Sequence, residues 1–374
     1  MTSRLVAILI ALAVLAGGAS IYLLRDESKS SANVSALGQA LFPRLKAADV
    51  TRITIAEADA TLNLEKKGGI WVITERNGYP ADLDRVSELV VKILELKTGQ
   101  SEPIAEKERA RMQLAPPGKG EGAATLLTFK AQDGKAVAEL LVGKKYFRNP
   151  PEGDAAAKAL GDGRFVMLPG DPTRVIIVSD PLKQATAKAT EWIAREGFAI
   201  DNIKSLTVRL ADGGFSLARD SMDAQWVLDG AGGELDQSRA NSVVYGLSKL
   251  EIADLAIGTD NGFEQGAQMT AKTFDGLEYK LKTGRLEKES YIVQVSVDGA
   301  PSRTGRAAPA NEKPEDKVKR EKSAADEQKA LADRVTREKA LEPFNVLIAK
   351  AKLDAVLKNR PDLLKVPEKS EEKK

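Results

Sequence analysis

Val50-Thr51-Arg52-Ile53-Thr54-Ile55 returns later in the chain as Ile203-Lys204-Ser205-Leu206-Thr207-Val208. Thr61-Leu62-Asn63-Leu64 returns as Gly214-Phe215-Ser216-Leu217, and Trp71-Val72-Ile73 as Trp226-Val227-Leu228. The run Val86, Leu89, Val90, Ile93, Leu96 returns as Ala240, Val243, Val244, Leu247, Leu250. The offset between the copies moves only from 153 to 155 to 154, so small length changes in two turns reconcile them. The repeated stretch Val50–Leu96 therefore reads as an internal duplication, and it decides the fold.

Each copy opens with three short strand-like runs joined by tight turns. Ile53 and Ile55, then Leu62 and Leu64, alternate with polar residues, Lys67-Gly68-Gly69 is a turn, and Ile70–Thr74 is a third strand. Pro80, with Asp82 as N-cap, opens a helix whose apolar residues at 86, 89, 90, 93 and 96 make one buried face. A second short helix is expected over Ile104–Met112, ended by Pro116-Pro117-Gly118. Strands follow at Ala124–Lys130, Val137–Val142, Arg164–Leu168 and Val175–Val178, with Asp133-Gly134 and Asp162-Gly163 as turns. Residues 148–163 read as a loop and Leu182–Ile193 as a helix.

The second copy predicts strands at 203–208, 215–219 and 225–228, a helix from Asp236 to Leu250, and strands at Glu278–Thr283 and Tyr291–Val297. Thr273-Phe274-Asp275-Gly276 matches Thr128-Phe129 followed by Asp133-Gly134. Phe344–Ile348 and Lys352–Leu357 are the expected counterparts of Val175–Val178 and of the helix after it. Residues 298–343 then form an insertion in a hairpin that the first copy closes with Pro169–Arg174. The expected fold is α+β: two tandem units, each an antiparallel meander with an amphipathic helix, followed by a second small antiparallel sheet. The units span 41–197 and 198–365, the latter carrying the charged helical insertion 298–343.

Residues 5–24 are an uncharged, mostly apolar run of 20. As a helix such a run spans roughly 30 Å, the thickness of a bilayer's hydrocarbon core. A cleaved signal peptide would end near Gly17-Gly18-Ala19. The run continues past that point through Ile21-Tyr22-Leu23-Leu24, which favours an uncleaved anchor over residues 1–25. Residues 26–40 are polar and Ser-rich and read as a tether. A very short N-terminus before one span places the bulk of the chain on the periplasmic side of a bacterial inner membrane.

The insertion divides into a Pro, Ala and Arg-rich loop at 301–314 and a Lys, Glu, Asp and Ala-dense stretch at 315–341 that reads as a helix. From residue 311 to the end, 17 Lys+Arg and 14 Asp+Glu are interleaved, as on a solvated helix with i,i+4 ion pairs. Val318, Ala325, Leu331, Val335 and Leu341 are too sparse for a coiled-coil seam, so a partner-docking helix and disorder stay open as alternatives. Residues 366–374 are a charged tail.

Of the 374 residues, 43% are hydrophobic and 29% charged, a globular balance. The formal net charge of +2 makes no case for nucleic acid. The chain has no Cys and no His, which removes disulfides, thiolate nucleophiles, imidazole bases and Cys/His zinc sites. Gly118-Lys119-Gly120-Glu121-Gly122 precedes a strand rather than a helix, so it lacks the helix N-terminus that binds phosphate. Gly143-Lys144-Lys145 lacks the other residues of a phosphate-binding loop. Asp154, Asp162, Asp171 and Asp180 fall in turns, where Asp caps backbone amides, and no two are placed as a glycosidase pair. Ser370 and Lys373 have dyad spacing but lie in the tail, without a fold to desolvate the lysine. Trp71 and Trp226 occupy equivalent positions and are expected to anchor each meander to its helix. No catalytic, cofactor-binding or metal-binding residue is assigned, and the reading is non-enzymatic.

Three segments resemble a bacterial family known only as a domain of unknown function: Leu41–Ile55, Leu64–Val72 and Gly78–Asp82. The resemblance covers most of 41–297 and returns at 344–365, where Arg360-Pro361-Asp362-Leu363-Leu364 is similar to the family's terminal helix. The charged stretch 298–343 departs from the pattern. The resemblance implies an N-terminally anchored, envelope-facing protein encoded beside an ABC transporter of the gliding-motility auxiliary type, and it brings no catalytic residues. It therefore points to a scaffold or docking partner of that transporter. The alternative is an envelope module that binds a glycan, lipid or peptide in a groove between the two units.

Overall fold

The computed structural model of the chain describes residues 37–118, 120–148, 162–230, 232–258, 260–301 and 313–365. The expected anchor at 1–25, the tether up to residue 36, most of the loop at 148–163, most of the loop at 301–314 and the tail at 366–374 lie outside the described residues. Among the described residues no helix is long and apolar enough to cross a membrane. The chain parts into two compact units, the first ending at Trp192 and the second beginning at Ile193.

In the first unit β1 (Arg52–Ala56), β2 (Thr61–Lys67) and β3 (Ile70–Ile73) form the meander. Gly68 and Gly69 turn the chain between β2 and β3 at φ of 57° and 90°, a region that favours glycine. The period-two pattern puts Ile53, Ile55, Leu62 and Leu64 on one face, all fully buried. A short β4 (Tyr79–Pro80) pairs outside β3. Helix α1 (Leu83–Glu95) starts where the Asp82 side chain accepts the Arg85 amide, and it buries Val86, Leu89, Val90 and Ile93.

The later strands are β5 (Ser101–Pro103), β6 (Thr125–Lys130), β7 (Ala136–Tyr146), β8 (Gly163–Met167) and β9 (Arg174–Val178). They do not form the expected second sheet. β6 pairs with the free edge of β1, from Arg52 opposite Lys130 to Ala56 opposite Leu126, and the nine strands join in the order β4-β3-β2-β1-β6-β7-β8-β9-β5. The cause is β1 itself: flanked only by β2, a buried strand would leave a row of amides and carbonyls unpaired, and β6 supplies the partners.

Two helices expected from the sequence do not form. Residues 104–112 make two 3-10 turns, Glu106–Glu108 and Ala110–Met112, and Gln113 ends them in the left-handed region at φ 54°. Only Ile104 and Met112 are apolar at useful positions there, and both pack on a small second core of Leu114, Ala124, Leu141, Met167 and Val175. Residues 182–193 are irregular, with a turn at Lys183-Gln184 closed by the Ala185 amide on the Leu182 carbonyl and one 3-10 turn at Ala189–Glu191. Leu182 sits at φ 44°, outside helical geometry. The segment clasps α1: Lys92 reaches Asp180 at 3.4 Å, Arg85 reaches Glu191 at 2.6 Å, and the Trp192 carbonyl accepts the Asp82 amide at 2.7 Å.

The second unit contains β10 (Ile203–Leu210), β11 (Gly213–Ala218), β12 (Val227–Leu228), α2 (Gln237–Tyr245), β13 (Asp254–Leu255), β14 (Gln268–Thr273), β15 (Leu277–Glu287), β16 (Ser290–Gly299), α3 (Pro314–Leu341), β17 (Val346–Ala349) and α4 (Lys350–Asp354). Its sheet has the order β12-β11-β10-β14-β15-β16-β17-β13, which matches β3-β2-β1-β6-β7-β8-β9-β5 position for position. α2 is shorter than the helix expected over 236–250. Asp236 caps it through the Ser238 and Arg239 amides, and the Asp236 amide bonds to the Leu363 carbonyl at 2.9 Å, as Asp82 does to Trp192. The closing clasp again follows the sheet, from α4 to a 3-10 turn at Arg360–Leu363 where the resemblance implied a helix.

The strand β14 is missing from the sequence reading, and its register corrects one pairing. Thr54 lies opposite Thr128, and Thr207 lies opposite Thr270. Thr128 and Phe129 therefore correspond to Thr270 and Ala271, not to Thr273 and Phe274. The two Asp-Gly turns do correspond.

Candidate functional site

An open groove of about 720 Å³ lies in the second unit, between α2 and the chain around β10 and β12. On α2 the spacing of Ser238, Asn241, Ser242 and Tyr245 gathers them on one helix face, which lines the groove, while Ala240 and Val243 on the other side are buried.

The facing wall is built around Trp226. Leu217 lies opposite Leu228 and Ala218 opposite Val227, so the same register brings Arg219 beside Trp226. The Arg219 guanidinium stands 4.4 Å from the Trp226 ring centroid and 5.8 Å from that of Phe274. It donates to the Ile203 carbonyl at 3.0 Å and the Met222 carbonyl at 2.7 Å. Burial pulls its pKa down, and Asp223 pushes the other way. The Trp226 indole N–H donates to Asn241 Oδ1 at 3.0 Å. The Gln237 side-chain amide accepts the Trp226 N–H and donates to the Trp226 carbonyl, both at 2.9 Å. In the first unit the chain leading from β4 into α1 does part of this work, with the Ala81 amide bonded to the Trp71 carbonyl. A side-chain amide thus closes the sheet edge where, among the described residues, the second unit has no strand equivalent to β4.

The floor, Ile200 to Asn202, is held from behind by α3. Glu338 is 1% exposed, and its carboxylate accepts the Ala199 amide at 2.9 Å and the Tyr279 hydroxyl at 2.8 Å. Arg334 lies 3.7 Å from Glu338 and 3.5 Å from Asp201. Burial raises the Glu338 pKa; the Ala199 amide, Tyr279, Arg334 and Arg337 act against it. Burial likewise raises the Tyr279 pKa, with the Glu338 charge adding to it. Leu331, Val335 and Leu341 complete the buried stripe of α3. The charged stretch is thus a helix docked along its C-terminal half, with Val318 near its start 65% exposed.

A further cavity, about 320 Å³, lies in the first unit beside Thr98, Ser101, Asp171 and Arg174, where Arg174 Nε donates to Ser101 Oγ at 3.1 Å. Among the described residues no cluster of three Asp or Glu has metal-binding geometry. The described turn aspartates hold backbone and hydroxyl groups of their loops: Asp162 accepts the Arg148 amide, Asp171 the Thr173 hydroxyl, and Asp180 the Leu182 amide while also pairing with Lys92 of α1. Asp154 and Lys119 are outside the described residues. Gly143, Lys144 and Lys145 are part of β7. Trp71, within β3, and Trp226, just before β12, occupy equivalent sequence positions but differ in surroundings: Trp226 is 4% exposed, whereas Trp71 is only partly buried. The fully buried tryptophan of the first unit is Trp192, with the Arg85 guanidinium 5.0 Å from its ring. The spacing of Ser238, Asn241, Ser242 and Tyr245 was legible in the sequence as a polar helix face. Nothing local marks Glu338, one acid among many in a charged run.

A family model described as a domain of unknown function, DUF4340, matches residues 71–272, more than half of the chain, from β3 to β14. No curated protein matches, and no solved structure matches.

Proposed function

We propose that this chain, which belongs to the DUF4340 family, is a non-catalytic, membrane-anchored envelope protein that accompanies an ABC-type transporter and serves as its docking scaffold. The apolar run 5–24 supports the anchor and the periplasmic placement of the rest. The resemblance at Leu41–Ile55, Leu64–Val72 and Gly78–Asp82 supports the envelope setting and the transporter as partner. The matching strand orders, the two N-cap aspartates and their bonds to the closing clasps support an origin by duplication of one α+β unit.

The observation that carries the non-catalytic reading is how the ionisable groups at the groove are used. Arg219 is bonded to backbone carbonyls and stacked on Trp226, Asp201 is beside Arg334, and Glu338 is sealed behind the floor. These charges build the unit, and the groove wall they support is one for binding. Cross-linking the full-length protein in its own membrane tests the scaffold. Transporter subunits are expected among the products, and deletion of the protein is expected to disturb the transporter. Recovery of no transporter subunit, with the transporter intact after deletion, overturns the reading.

The groove itself favours a second reading, an envelope ligand-binding module, because its α2 side presents exposed polar side chains that keep hydrogen-bonding capacity beyond their bonds within the unit.

A further inference from the structure

We infer that the groove beside α2 is a binding site for an uncharged oligosaccharide, with Tyr245 as its stacking platform. This rests on the ligand-binding reading, not on the scaffold.

The case begins with charge. The two charged side chains in the lining, Asp201 and Arg219, are already engaged, the first by Arg334 at 3.5 Å and the second by two carbonyls and two aromatic rings. Among the lining residues an anionic or cationic ligand would find no free counter-charge, and the nearest cation, Lys352, lies outside the lining and against the Tyr245 ring. What remains is neutral and two-sided in hydrogen bonding. Ser242 Oγ donates to the Ser238 carbonyl and Ser248 Oγ to the Tyr245 carbonyl, which leaves both hydroxyl oxygens as acceptors. Asn241 uses its oxygen on the Trp226 indole and keeps its NH2 to donate. Asn202 uses its NH2 on Asp275 at 2.9 Å and keeps its oxygen to accept. Vicinal sugar hydroxyls, each both donor and acceptor, fit such alternation.

Tyr245 supplies the second half of the chemistry. Tyr245, the last residue of α2, is 73% exposed, with Lys352 Nζ 5.4 Å from its ring centroid. An exposed aromatic ring beside neutral amides and hydroxyls offers an apolar surface to the C–H face of a sugar and hydrogen bonds to its rim. The volume of about 720 Å³ lies within the roughly 300–1,000 Å³ of small-ligand sites. Helix α3 acts as a positioning element, since Glu338 and Arg334 hold the Ala199–Asp201 floor.

The test is calorimetric titration of the full-length chain in detergent with maltotetraose and chitotetraose, and with tetragalacturonic acid as the anionic counterpart. Saturable binding is expected for at least one of the neutral sugars and not for the acid. Tyr245→Ala is expected to weaken binding at least tenfold, and Ser242→Trp, which fills the groove from an exposed position, to abolish it. Circular dichroism melts of both variants should match the unaltered chain, which keeps a folding defect distinct. Saturable binding of the acid alone, or binding that both variants retain, overturns the saccharide assignment and leaves the ligand-binding reading standing. No saturable binding of any of the three overturns the saccharide assignment, while the scaffold reading stands or falls on the cross-linking result.

Discussion

Tyr279 on β15 donates its hydroxyl proton to Glu338 on α3 at 2.8 Å, in the interior of the second unit. A carboxylate taken out of water is costly unless it is fully bonded, and Glu338 has the Ala199 amide as a second donor. The pair therefore locks the inserted helix to the sheet and, through Ala199, to the floor of the groove.

Removing that carboxyl strands one buried donor, the Tyr279 hydroxyl, and one partly buried donor, the Ala199 amide. Glu338→Ala is expected to lower stability by about 3 kcal/mol, and Glu338→Gln by less, because its amide oxygen still accepts one bond. Urea unfolding of the two variants measures the difference; equal stability of all three chains would refute the lock.

The same residue predicts a pH dependence. Burial raises its pKa in the folded state, whereas an unfolded glutamate titrates near about 4.3. Between those two values the folded chain holds a proton that the unfolded chain has released. The resulting stabilisation is fully present below about pH 4.3 and is lost as pH rises through the folded pKa. Glu338→Gln lacks this dependence, so the stability of the unaltered chain relative to the variant should fall with rising pH. Urea titrations at a series of pH values read it directly, and a gap that widens with pH would contradict the assignment.

The three tryptophans should rank by environment, not by repeat position. Trp192 is fully buried, with its indole N–H bonded to the Thr186 carbonyl at 2.8 Å, and Trp192→Ala is expected to cost about 3–5 kcal/mol. Trp226→Ala should fall in the same range, since the ring is nearly buried and its indole is bonded to Asn241. Trp71→Ala should cost clearly less. Thermal and urea denaturation of the three variants establishes the order.

Each N-cap aspartate should be worth about 1 kcal/mol to its own helix. Asp82→Ala frees the Arg85 amide, and Asp236→Ala frees those of Ser238 and Arg239. Asparagine at either position should recover most of the loss. Amide hydrogen exchange at the first turn of α1 and of α2 follows each helix separately.

Glycine replacements separate close packing from simple turns. A Cβ on Gly266 would lie 1.5 Å from the Thr283 carbonyl oxygen, so Gly266→Ala forces the backbone apart and is expected to cost about 3 kcal/mol or more. Gly134, at φ 82° with open space around it, should lose only about 1 kcal/mol on the same change. Comparable losses at both sites would contradict the packing at Gly266.

Much of the fold was legible in local chemistry. Alternation at Ile53, Ile55, Leu62 and Leu64, the Asp82 cap, and the helical spacing from Val86 to Ile93 all reflect interactions within a few residues. The repeated copy then marked the meander and helix of the second unit. Other features required distant partners. Residues 104–112 and 182–193 carry helix-compatible sequences, yet the surfaces they cover, the small core around Leu114 and the flank of α1, draw them into turns and irregular chain. The strands expected as a second sheet joined the first because the open edge of β1 needed partners. The groove combines one helix face that the sequence displays with a floor that it does not, because only tertiary packing brings Glu338 to Ala199 across 139 positions of chain. The sequence by itself determined the two-fold plan, the strand and helix periodicities and the caps, since these depend on neighbours along the backbone. Sheet continuity, the clasps and the buried carboxyl were decided by tertiary structure, where the need to pair buried polar groups outweighs local preference.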